Sequence, residues 1–102
     1  MTAPGDSLEF QASSFFRLRA AQSPGLTESI KELLRRAPDT GDPLCPGIRK
    51  VGIEMAGEAL VVFVARRGNR VSLMYVYQAF ELKLIKAKED ELLRLYGKGG
   101  LV

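Results

Sequence analysis

The sequence contains no histidine and only one cysteine. Without histidine there is no Ser-His-Asp triad, no imidazole general base and no histidine-bearing zinc site, and one thiol makes no internal disulfide. No metal or other cofactor is expected. Cys45 lies in a proline-flanked turn with no histidine to activate it, which argues against a catalytic thiol. Apolar runs fall short of the roughly 18 residues that a membrane span requires. The first seven residues include Pro4, Gly5 and Asp6 and lack the apolar core of a signal peptide. The expectation is a cytoplasmic protein without a membrane partner, with residues 1–7 as a disordered tail and residues 98–102 as a loose one. Any catalysis falls to lysine, arginine, tyrosine or carboxylates.

What remains is a chain of 102 residues, 46% of them hydrophobic, enough for one core but not two, so residues 8–97 read as a single domain. The net charge of +3 is unevenly placed. Between Pro43 and Phe80 stand five basic residues, Arg49, Lys50, Arg66, Arg67 and Arg70, against Glu54 and Glu58, while the rest of the chain balances. A basic surplus on one segment suits an anionic partner.

Leu8 to Phe10 alternates as a short strand does, and Ala12 to Ala21 suggests a short helix. Ile30, Leu33, Leu34 and Ala37 recur at helical spacing, placing a helix over residues 26–37 with Arg35 and Arg36 in its last turn and Pro38 beyond it. Asp39 to Gly47, "DTGDPLCPG", is turn chemistry and predicts an exposed connection. Three strands are expected next, at Arg49 to Met55, Leu60 to Ala65 and Val71 to Tyr77, the last two joined by Gly68 and Asn69. Phe80, Leu82 and Leu84 alternate with Glu81 and Lys83 as in a strand, so the final helix is placed from about Lys86 to Tyr96, closed by Gly97. In that helix "KAKEDE" reads as a solvated face. The predicted class is α+β: a small antiparallel sheet of three to four strands, two N-terminal helices packed on it and a C-terminal helix.

The order strand, helix, helix, three antiparallel strands, helix resembles the RelE/ParE/HigB superfamily of toxins from toxin-antitoxin pairs. "ESIKELLRRAPDTGDPLCPGIRKVGIE" is similar to the family's second helix, its "NPxxGDxIPGxxGLRKxR" connection and its first central strand. "GEALVVFV" resembles the "GGxRVIYY" strand, and "RVSLMYVYQAF" resembles a strand ending in "LLHAFxKK". The resemblance implies a type II toxin-like protein with a metal-independent messenger RNA endoribonuclease fold, held by an antitoxin protein and acting on messenger RNA at the ribosome.

Carried over residue by residue, the resemblance makes Arg49, Lys50, Lys83 and Tyr77 the catalytic candidates; Arg66, Arg67 and Arg70 are RNA-binding candidates on the strength of their charge at the hairpin tip. Cleavage of this kind needs cations around the scissile phosphate and a proton acceptor for the 2′-hydroxyl. The departures weaken it. Leu60 stands where the family strand has its arginine, Gly52 and Glu54 replace basic residues, and Gln78 replaces a histidine. The expectation is weakened or lost cleavage, raised again by Leu60→Arg if the other basic residues converge. The alternative is a non-enzymatic RNA- or protein-binding small α+β domain. For the Arg66 to Arg70 tip, contact with RNA phosphate, contact with an acidic partner and a plain solvated turn all stay open. The spacing of Tyr75 and Tyr77 with Val71 and Leu73 suggests packing on one shared face.

Overall fold

A computed structural model describes residues 7–97; the expected tails, residues 1–7 and 98–102, lie outside the described residues except for Ser7. The elements run β1 (Glu9–Ala12), α1 (Ser14–Ala20), α2 (Leu26–Arg36), β2 (Asp42–Cys45), β3 (Ile48–Met55), β4 (Glu58–Arg67), β5 (Arg70–Gln78) and α3 (Leu82–Tyr96). The strands form one sheet in the order β1-β5-β4-β3-β2. Only β1 and β5 are parallel; the other pairs are antiparallel. The fold is therefore α+β, with a five-stranded mixed sheet in place of the expected three- to four-stranded antiparallel one.

The additional strand, β2, comes from the stretch read as a connection. Pro43 and the flanking turn residues hide it, and proline is tolerated there because β2 is an edge strand. The final helix also starts earlier than expected, at Leu82. There the alternation around Leu82 and Leu84 reflects exposed leucines rather than a strand, since α3 buries only Ile85 and Leu92.

One sheet face carries Val51, Leu60, Val62, Val64, Val71 and Leu73 and packs against Phe16, Leu26, Ile30 and Leu34 of the first two helices. Ile30, Leu33 and Leu34 thus meet the sheet as the helical period requires. The opposite face carries Ile48, Phe63 and Tyr77 beneath Ile85 and Leu92 of α3. The helices are split between the faces, with α1 at the β5 edge, where Phe16 enters one cluster and Phe15 the other.

A β-bulge decides which residues face α3. Phe63 pairs with Tyr75 but Val64 pairs with Leu73, which leaves Met74 as an extra residue in β5. Alternation reverses there, so Tyr75 and Tyr77 lie on the α3 face while Val71 and Leu73 lie on the other, correcting the single face expected from spacing. Ser13 anchors the bulge to α1. Its amide donates to the Leu73 carbonyl, its hydroxyl donates to the Met74 carbonyl and accepts from the Phe16 amide as the N-cap. Ser13→Ala removes both side-chain bonds, and a loss of about 1–2 kcal/mol is expected in urea unfolding.

Candidate functional site

Strand alternation separates the sequence-predicted cations. Arg49 pairs with Val64 and shares the α2 face, whereas Lys50 pairs with Phe63 and shares the α3 face. Adjacent residues of a strand point to opposite faces, so Arg49 and Lys50 do not converge on one phosphate. The same rule divides the hairpin tip. Arg66 points to the α2 face, while Arg67 and Arg70 form a cross-strand pair on the α3 face.

Each candidate has a defined environment. The Arg49 guanidinium donates to the Gly41 carbonyl at 3.3 Å. Lys50 is ion-paired with Glu89 of α3 in a half-buried contact. Arg66 donates to the Gly68 carbonyl at 2.9 Å and to Asp39 at 3.1 Å. Lys83 is exposed on the first turn of α3 and makes no ion pair among the described residues. Tyr77 is buried, with its ring 5.5 Å from Phe15 and 6.1 Å from Phe63. Burial pushes the Tyr77 phenol above its ordinary pKa, the wrong direction for a proton acceptor at neutral pH. Leu60, which the resemblance aligns with an arginine, lies in the α2-side core.

Sequence reasoning missed the polar groups that seat α3. Lys88 is drawn over the Tyr75 ring, 3.9 Å from its centroid, and donates to Glu91 at 2.7 Å. Burial lowers the Lys88 pKa, but the bond to Glu91 and the two tyrosines outweigh it, so the net shift is upward and the ammonium stays charged. "KAKEDE" is therefore not uniformly solvated. The signal was present: Lys88 and Glu89 follow Ile85 by three and four residues, which places them beside it on the buried side.

Glu81, just before α3, accepts from the Gln78 amide at 2.8 Å and from Arg19 at 2.8 Å. The backbone bond from Gln78, then the bond from Arg19, holds its carboxyl below the usual glutamate range. A lowered folded-state pKa means a contribution fully present above the unfolded value of about 4.3 and lost as pH falls through the lower folded one. Glu81→Gln is expected to flatten the acid limb of the stability profile, measured as thermal midpoint against pH.

The open part of the α3 face lies beyond the end of that helix. Arg66, Arg67, Arg70, Gln11, Ser72 and Tyr96 border a cleft of about 490 Å³, so all three hairpin arginines reach its rim. Gln11 and Ser72 are hydrogen-bonded at 2.7 Å, and Arg70 is 3.9 Å from Glu9 in an exposed pair. No ion pair engages Arg67 among the described residues. Among these residues no group of three or more acidic, cysteine or histidine side chains is placed to hold a metal, and no helix is long and apolar enough to cross a membrane. The chain matches no protein-family model and no curated protein.

Proposed function

We propose that the protein is a toxin-like module of the RelE/HigB kind that binds single-stranded RNA through the open end of its α3 face and does not cut it efficiently. The carrying observation is the grouping of Arg67 and Arg70 with the half-exposed Tyr96 around one cleft. Guanidinium groups satisfy phosphates, and an exposed ring beside them gives a base a surface to stack on. The element order supports the family reading, β2 being an addition to it.

Weak cleavage follows from the division of the candidates. Lys50 is held by Glu89, Arg49 faces the other way, and the Tyr77 phenol is buried and hard to ionise. The four residues that the resemblance makes catalytic, Arg49, Lys50, Tyr77 and Lys83, therefore do not form one site. The test combines fluorescence anisotropy on a short labelled single-stranded RNA with a ribosome-dependent cleavage assay. Arg67→Gln and Arg70→Gln are each expected to reduce the slope of log affinity against log salt by about one, and Tyr96→Ala to weaken binding by about 1–3 kcal/mol. Salt-independent binding, or robust cleavage by the unaltered protein, overturns the reading.

A protein partner, the antitoxin that the resemblance implies, is a second reading with its own observation. Phe80 and Leu82 are 78% and 70% exposed, and Leu84 and Leu95 are also exposed along α3. Such a concentration of exposed apolar side chains on α3 and the turn before it marks an interaction surface. Co-expression with an antitoxin encoded beside this gene, followed by loss of co-purification in Leu82→Asp, tests it.

A further inference from the structure

A second cleft adjoins the first where the connection from α2 to β3 folds back beside the β4–β5 tip. We propose that it binds a small amphipathic anion, with Arg49 and Arg66 holding a carboxylate or phosphate head and the cleft floor taking an apolar body. Its volume, about 620 Å³, falls within the range of roughly 300–1,000 Å³ common to small-molecule sites. Its apolar lining includes Leu34, Val64 and Val71, buried members of the core, beside Ile48 and three prolines. Pro38, Pro43 and Pro46 stand around it, and their fixed φ angles stiffen the surrounding chain.

The two arginines are brought together by register. Arg49 pairs with Val64, and Arg66 lies two residues further along β4 on the same face, so the pair are diagonal neighbours within reach of one ligand head. Against these two positive charges the cleft offers a single carboxylate, Asp39, whose side chain is 81% exposed. A surface ion pair of that kind is worth little and yields readily to a better-seated anion. The Arg49 side is held in place. Gly41, whose carbonyl accepts from Arg49, has φ of +94°, and a Cβ there would collide with the Lys50 carbonyl, so the connection lies directly on β3. A guanidinium fixed at one corner still offers donors in the planar fork that suits carboxylate and phosphate oxygens.

The lining selects against nucleic acid. Among the described residues no aromatic side chain borders this cleft, so they offer a base no stacking surface, whereas an alkyl chain or small hydrophobic ring suits the aliphatic lining. Pro46, Gly47, Ile48 and Arg66 border both clefts, but Arg67, Arg70 and Tyr96 do not border this one, so variants at those three residues separate it from the RNA-binding reading.

Titration of the isotope-labelled full chain with octanoate, octyl phosphate and inorganic phosphate, read by NMR, tests the proposal. Saturable shifts are expected at the Leu34, Val64 and Val71 methyl groups and at the Arg49 and Arg66 side-chain N–H signals with the two amphipathic probes, and weaker binding with inorganic phosphate. The relative affinities of octanoate and octyl phosphate distinguish a carboxylate ligand from a phosphate one. Arg49→Gln and Arg66→Gln should each weaken binding about tenfold, as the loss of a charge-assisted bond predicts, with the remaining backbone spectrum unchanged. Shifts confined to α3 methyl groups, the absence of saturable shifts, or unchanged affinity in the double variant overturns it.

Discussion

Leu60→Arg is expected to unfold the protein rather than endow it with nuclease activity. Leu60 is 5% exposed and belongs to the core between the sheet and the first two helices, cross-strand from Ile53. A guanidinium at this position loses its hydration among Leu26, Ile53 and Val62. The nearest polar rim offers Glu58, which already accepts from Gln78 at 2.9 Å, and Arg19, which repels a second cation. Removing a buried leucine costs about 2–5 kcal/mol, and an uncompensated buried charge adds several more. Set against a total stability of about 5–15 kcal/mol for a domain, the sum is enough to abolish a cooperative folded state. Urea unfolding followed by circular dichroism checks this. Leu60→Met, which conserves volume, is expected to lose less than about 1.5 kcal/mol. A folded Leu60→Arg protein that cleaves messenger RNA would show that the side chain escapes to solvent and that the core assignment is mistaken.

This result bears on how far a sequence alignment carries chemistry. The resemblance aligns Leu60 with the arginine of a motif, but a strand position acts on phosphate only if it faces an open surface. Alternation determines that facing: it runs unbroken along β4, which turns Leu60 inward with Val62 and Val64, whereas in β5 it reverses at the bulge at Met74, which has no signature in the apolar pattern of that strand. The long, strongly periodic elements were legible. α2, β3, β4 and the first half of β5 fall where period and turn residues put them, because each buries an unbroken apolar set. Elements stabilised mainly by their surroundings were not. β2 is four residues long and held by pairing to β3 at the sheet edge, so its own composition reads as a turn.

The candidate site was legible in composition but not in geometry. The basic surplus of the central segment lies on the sheet, and Arg67 and Arg70 share a face. Arg49 and Lys50, adjacent in sequence and read as one basic pair, serve opposite surfaces. Lys50 is also engaged by Glu89, thirty-nine residues later, a long-range contact that no local pattern encodes.

Phe63→Ala is expected to have the largest effect on the α3 side, and to act on that helix first. The Phe63 side chain is fully buried at the centre of the sheet. Its ring meets Tyr75 and Tyr77 edge-on, at centroid separations of 6.4 and 6.1 Å, and Phe15 closes the cluster at 5.2 Å from Tyr75. Edge-to-face pairs add to area burial, and truncating a buried phenylalanine costs about 3–5 kcal/mol. The loss falls unevenly. α3 buries only Ile85 and Leu92, and its other attachments are the Lys50–Glu89 and Arg19–Glu81 pairs and the placement of Lys88 over Tyr75. Once the aromatic floor shifts, Lys88 and Ile85 lose their seat together, whereas the α2 face keeps Ile30, Leu34 and its valine layer. Amide hydrogen exchange should therefore show α3 protection falling further than α2 protection, beside a global loss of about 3–5 kcal/mol. Equal losses in both helices would mean that the two faces unfold as one unit and that α3 is no more weakly held than α2.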